Sequence, residues 1–394
     1  MATQQTLPSS PYHEFHHPDN IPSIALFDHD GTTPLYEKGE YGNSLLYRVI
    51  QLNDVSKLKQ YLLRAPTSCL SSDLAIYSDP FYTAAYHGST ACLCILLEHH
   101  TIHGTPAGLQ APNSTDYLLL NVASGRAHLE TARFLLDCQP AYVDIHARKW
   151  DMTALLCAAA SFTPHVPNTA PVGSEPEGYL RHHVARSEEL VQLLLDRGAC
   201  ARDVTNYADI YETVLSLAIS RASPGLVKRL IDEGADVHAK TTIQLVPWSA
   251  YDEELLHDFT PLHVGSLCLN FEGIQILLDN RGSDIDVSDM LLSRDSSGSL
   301  PLHCAAGSFN QPDNEVWARD DIVAQATNTI NLLLQGGNPS SINITDNRGN
   351  TPLHLASSGE AQSGSEHSFV ARAIVKLLLE HGADAGLRLS LIHI

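Results

Sequence analysis

The chain has 394 residues, 43% of them hydrophobic, with 45 acidic residues against 24 basic ones and a formal net charge of -21. This balance excludes a nucleic-acid partner, which needs a basic footprint, and equally disfavours an anionic membrane surface. It is compatible with a protein partner that has a basic surface, although solubility is the plainer reason for it.

Residues 1–24 are rich in Pro, Ser and His and are expected to form a disordered tail. Residues 25–43 contain Asp28-x-x-Gly31-x-Thr33-Pro34-Leu35-Tyr36, a turn and a helix start too short for a complete unit. From Ser44 onward, one pattern returns at intervals of a few tens of residues. A capping residue precedes a short helix of small and apolar residues, and a second helix follows with an apolar pair such as Leu277-Leu278 or Leu378-Leu379. With the capping residue as register, the units begin at Ser44, Asp79, Leu118, Thr153, Thr213, Thr260, Leu300 and Thr351. Such periodicity predicts a stack of similar units rather than one compact core.

The pattern is clearest in the last three units. Thr260-Pro261-Leu262-His263 and Thr351-Pro352-Leu353-His354 are intact, and Leu300-Pro301-Leu302-His303 lacks only the Thr. Each residue has a physical task. The Thr hydroxyl accepts from an unpaired N–H of the first turn. Proline fits the first helical position, where its missing N–H costs nothing. The Leu begins the apolar stripe, and the His can bond one unit to the next. Gly234, Gly337 and Gly382 follow the second helices, where a left-handed cap is wanted.

These motifs resemble the ankyrin repeat, a hairpin plus two antiparallel helices in about 33 residues. The resemblance is strongest from Asp346 to Asp384 and extends, with degenerate copies, over residues 44–386. It implies an all-α solenoid of about eight imperfect repeats with short β-hairpin fingers. It also implies a non-enzymatic interaction module or scaffold that binds a protein partner. A monomer without cofactor is expected. An alternative is the recognition arm of a larger protein, since residues 387–394 do not resemble a capping repeat and could mark a truncated or non-native end.

Departures from the pattern carry the individual information. Loops are expected at about 161–186, 307–321 and 358–368, exposed and mobile at one end of the helices. A longer finger is expected at 241–258, with Trp248 and Tyr251 beside Asp252, Glu253 and Glu254. Aromatics on a projecting finger suit an interface anchor. The competing reading folds Trp248 back onto a neighbouring helix.

Other chemistry is less well supported. Apolar Ile24-Ala25-Leu26 followed by Phe27-Asp28-His29-Asp30-Gly31-Thr32 resembles the first motif of haloacid-dehalogenase phosphatases. By that resemblance Asp28 would be the nucleophile, Asp30 the general acid/base, and both would hold Mg²⁺. The helical units after residue 42 leave no room for the doubly wound sheet which that fold requires. The 21 His include clusters at His13/His16/His17 and His99/His100/His103, without Cys or a second well-spaced pair, so no metal site is expected. The eight Cys form no Cys-x-x-Cys, residues 1–10 lack a signal-peptide core, and no stretch approaches the ~20 apolar residues of a membrane helix. An intracellular protein, cytoplasmic or nuclear, is expected.

Overall fold

The computed structural model describes residues 45–64, 79–103, 118–138, 143–162, 176–207, 209–245, 254–308, 319–335, 339–362 and 368–387. Asp28, Asp30, Trp248, Tyr251, Asp252, Glu253, Gly337, the tail 1–24, the short unit 25–43 and all but the first residue of 387–394 lie outside them. The described residues are mostly helical and separate into two compact units.

The first unit comprises residues up to Ala84 and Ser89–Ala111. It contains α1 (Leu45–Gln51), α2 (Val55–Arg64), the start of α3 (Pro80–His87) and α4 (Thr90–His103). Asp79 caps α3 through its carboxylate, which accepts from the Phe81 and Tyr82 N–H groups at 2.8 and 2.9 Å. Val49, Ile50, Leu58, Leu93 and Leu97 form the core, and the Ser89 hydroxyl bonds to the Ile50 carbonyl at 2.6 Å.

The second unit comprises Ala85–Gly88 and the residues from Pro112 on. Its helices come in pairs: α5 (Leu119–Gly125) with α6 (Leu129–Cys138), α7 (Ala154–Ala160) with α8 (Pro176–Asp196), and α9 (Val214–Ala218) with α10 (Pro224–Asp232). Then α11 (Pro261–Leu267) pairs with α12 (Phe271–Asp279), α14 (Pro301–Ala306) with α15 (Arg319–Gln335), and α16 (Pro352–Gln362) with α17 (Ser368–Glu380). A five-residue helix, α13 (Val287–Leu291), and a 3-10 turn at Pro339–Asn343 lie in the connections. First helices pack on first helices, as α5 on α7 and α11 on α14, while second helices pack on second, as α10 on α12 and α15 on α17. Small residues permit this closeness: Ala158, Ala159, Ala305, Ala306 and Ala356 are fully buried.

Each sequence-derived register residue immediately precedes a helix. Thr153, Thr213 and Thr260 accept from the N–H three residues on. The second helices end as the glycines require. At Gly234, with φ 96°, its own N–H reaches the Ile231 carbonyl and the Ala235 N–H reaches that of Leu230, both at 2.9 Å. Gly382, with φ 93°, repeats this on Leu379 and Leu378.

The expected loops need correction. Residues 176–186 are helix: α8 begins at Pro176, suited to a first turn, and its apolar spacing buries Leu180 and His183. Residues 319–321 belong to α15, and 358–362 extend α16. These parts of the insertions lengthen helices instead of projecting as mobile loops.

Two antiparallel hairpins complete the second unit. Strands β1 (Val204–Tyr207) and β2 (Ile210–Thr213) pair with Tyr207 opposite Ile210. Strands β3 (Thr241–Leu245) and β4 (Glu254–Phe259) pair with an irregular step between Thr241 and Ile243. The expected finger at 241–258 therefore has a paired base. Of its nominated residues, only Glu254 is described, as the first residue of β4.

Candidate functional site

The connections between successive helix pairs form a linked row of fingers. Arg148 Nη1 donates to the Val204 carbonyl at 2.7 Å, and the Asp151 carboxylate accepts from the Asn206 N–H at 2.6 Å. Strand β2 packs against β3. The Ser296 N–H reaches the His257 carbonyl at 3.0 Å, and the Asn347 N–H reaches that of Ser297 at 2.9 Å. Asp295 and Asp346 organise their own turns. Asp295 accepts from the Ser297 and Ser299 N–H groups at 2.9 and 2.8 Å; Asp346 accepts from Arg348 and Asn350 at 2.9 and 2.7 Å. Five consecutive fingers are thus fixed to one another by side-chain or main-chain hydrogen bonds or by strand packing.

The Thr-Pro-Leu-His residues stand directly behind this row, and the structure brings all of them together as helix starts. The Thr260 N–H donates to His263 Nδ1 at 3.2 Å, so the ring proton resides on Nε2, which donates to the Ser299 carbonyl at 3.3 Å. His303 bridges from the Leu300 N–H at 3.1 Å to the Asn350 carbonyl at 3.1 Å. His354 bridges from the Thr351 N–H at 3.1 Å to the Leu387 carbonyl at 3.1 Å. Each His therefore bonds its own helix cap to the next finger. Leu300 has no hydroxyl, so only the imidazole half of the cap survives there. Burial pushes the His263 imidazole down to about 4, despite Asp295 nearby, and lowers that of His303. The His263 and His303 rings are neutral structural members; Pro261, Leu262, Pro301, Leu302, Pro352 and Leu353 are buried at the three helix starts.

Among the described residues, two exposed aromatics of the fingers lie outside the expectations drawn from the sequence. Trp150 is 56% exposed and Tyr207 53% exposed. They sit beside the Asp151–Asn206 bond, on adjacent fingers. Lys149 and Met152 exchange main-chain bonds at 3.0 and 2.9 Å around a two-residue turn, in which Trp150 has φ 47° and Asp151 φ 59°. Positive φ at both positions is the type I′ pattern that favours Asn-Gly. A bulky Trp there is a backbone outlier. No cue for it was available: the turn of a two-residue hairpin was hidden in Lys149-Trp150-Asp151-Met152, which lacks the usual Gly. Nearby on β2, burial alone pushes the Glu212 carboxyl up to about 7.

Among the described residues, no group of three or more His, Cys, Asp or Glu is placed to hold a metal ion, and no helix is long and apolar enough to cross a membrane. The ankyrin repeat family model matches residues 348–388. That span holds the intact Thr351-Pro352-Leu353-His354 start, α16, α17 and the Gly382 cap, and it identifies an ankyrin repeat there. Ankyrin repeats serve in general as protein-protein interaction modules and are typically non-enzymatic. No curated protein matches the chain.

Proposed function

We propose that the protein is a non-enzymatic interaction scaffold, built as a solenoid of about eight imperfect ankyrin repeats, that binds one protein partner along its row of fingers. The repeat at residues 348–388 and the recurrence of its helix-pair plan at the earlier register residues support the array. The observation that carries the binding reading is Trp150. A large aromatic is held exposed, in a backbone conformation it disfavours, at the tip of a finger bonded to its neighbour. Unfavourable local conformations concentrate where function requires them. Tyr207 on the next finger doubles the anchor, and aromatic anchors dominate interface energies. The sequence expectation of further contacts at Trp248, Tyr251, Asp252, Glu253 and Glu254 belongs to the same proposal.

The partner is a protein with a basic surface. The net charge of -21 favours its approach, and a cation placed beside Glu212 would restore the ionisation that burial suppresses. The scaffold acts as a monomer, inside the cell, with no cofactor. The test is affinity capture followed by identification and direct titration of the captured protein. Binding should fall at least about tenfold in Trp150→Ala/Tyr207→Ala while the melting temperature holds. Unchanged affinity in that variant would remove the fingers from the site.

A further inference from the structure

Glu212 stands on β2 opposite Thr205 of β1, and the next pair along the hairpin is Tyr207 with Ile210. Residues two apart on a strand share a face, so Thr205, Tyr207, Ile210 and Glu212 lie on one side of this hairpin. That side passes from closed to open: Thr205 is 3% exposed and Tyr207 53%. Glu212 is partly buried and is the diagonal neighbour of Tyr207, within reach of one long side chain laid across both.

The carboxyl is alone there. The elements that pack most against β2 are β1, β3 and α9. Their residues, Val204–Tyr207, Thr241–Leu245 and Val214–Ala218, include no Lys, Arg, His, Asp or Glu. Basic residues of the same fingers are committed elsewhere. Arg148 meets Asp151, Asp203 and the Val204 carbonyl, and Lys240 pairs with Asp258 at 3.1 Å. Arg202 lies against Gly234, and His257 meets the Thr242 hydroxyl at 3.2 Å. Residues 246–253, between β3 and β4, contain no Lys, Arg or His. Among the described residues, the Glu212 carboxyl therefore has no hydrogen bond and no counter-ion, and the Tyr207 phenol makes no hydrogen bond. Asp151, Asp203, Asp295 and Asp346 of the neighbouring fingers all accept from donors. Burial without such compensation raises the Glu212 carboxyl to about 7.

A guanidinium answers both residues at once. Its fork takes the two carboxylate oxygens, and its plane stacks on a phenol ring. An ammonium meets only the first need. We infer that Glu212 and Tyr207 form a receptor for one arginine side chain of the protein partner, the guanidinium paired with the carboxylate and laid on the ring. This rests on the finger reading above and names the group that the fingers recognise.

The probe is a hexa-arginine peptide, titrated calorimetrically into the full chain at about pH 6.5 and fixed ionic strength, in two buffers of different ionisation enthalpy. A cation on Glu212 restores its ionisation, so binding should release most of one proton, read from the dependence of the enthalpy on buffer. Glu212→Gln should abolish that release and lower affinity at least about tenfold. Tyr207→Ala should weaken binding severalfold, and hexalysine should bind severalfold more weakly than hexa-arginine. Asp284→Asn, which alters an exposed carboxylate in a later connection, should bind as the unaltered protein does. Circular dichroism checks that each variant is folded. If Glu212→Gln does not fold, Glu212→Asp reports instead, its shorter arm weakening binding. No saturable binding, binding without proton release, or hexalysine bound as tightly as hexa-arginine would overturn the inference. So would equal losses in Glu212→Gln and Asp284→Asn, which would mark diffuse attraction to an acidic surface. The finger reading fails separately, when Trp150→Ala/Tyr207→Ala keeps full affinity for the captured protein.

Discussion

The helix starts at Thr260, Leu300 and Thr351 and the finger tip at Trp150 are neighbouring parts of one architecture with opposite physical character. At the helix starts, polar groups are buried and satisfied: His263 is fully buried, and its two ring nitrogens bond a cap and a finger. At Trp150 a large apolar side chain is exposed and its backbone is in the left-handed region. The first arrangement stabilises the fold, while the second puts a strained backbone and an exposed ring on it, offset within the chain by the Lys149 ammonium 5.2 Å from the ring centroid. The difference teaches where to look for binding: among groups that the fold would be better without.

Four outcomes would break or sharpen this contrast. The largest effect belongs to His263→Ala. It should cost about 4 kcal/mol, because it leaves the Thr260 N–H and the Ser299 carbonyl without partners and opens a cavity. Urea unfolding measures it, and a loss under 1 kcal/mol would mean that the stitch is ornamental.

Next comes acidification. His263 and His128 are both pushed down to about 4 in the fold, from ordinary values near 6.5. The unfolded chain therefore takes up their protons first, and stability falls as pH drops from about 6.5 to about 4, by about 3 kcal/mol for each ring. Glu212 works the other way. Its carboxyl is raised from 4.5 to about 7, so the fold gains about 3 kcal/mol as pH falls through that window. For these three groups together the loss is about 3 kcal/mol, and the lowered His87, His183 and His303 act in the same direction. Denaturant midpoints between pH 7 and pH 4 should show it, and Glu212→Gln should steepen the decline.

Smaller is the cost of Trp150→Ala to partner binding, about 2 kcal/mol, read by titration. Smallest, and of opposite sign, is Trp150→Asn. A residue that tolerates positive φ should raise unfolding stability by roughly 0.5–1 kcal/mol while weakening the partner. A variant that gained stability and kept full affinity would refute the assignment of this finger.

Much of this arrangement was legible in the sequence where one residue type has one local task. Thr260, Pro261 and His263 specify a cap, a first turn and a bridge, and the structure places each accordingly. Register residues as different as Asp79, Leu118 and Thr213 were readable through the apolar pairs that follow them. Less legible was the stretch from Pro176 to Arg186. Its Pro and paired His read as a loop, but tertiary burial of Leu180 and His183 extends α8 through it. The helix Val287–Leu291 has too few residues to show a period. Trp150 was hidden for another reason: a backbone angle leaves no trace in composition when the residue is not Gly or Asn.

The histidine bridges run in one direction. His263 reaches forward to Ser299, His303 to Asn350 and His354 to Leu387, always from a helix cap to the finger that follows. Detaching a later segment therefore strands a ring donor inside the part that stays folded, whereas detaching an earlier one strands a carbonyl at a finger. A carbonyl at an outer edge is readily hydrated, but a stranded imidazole within a helix cap is not. Fraying from the two directions is therefore unequal in cost, and native-state hydrogen exchange should find the helix caps at Thr260 and Leu300 opening later than the carbonyl-bearing turns they hold.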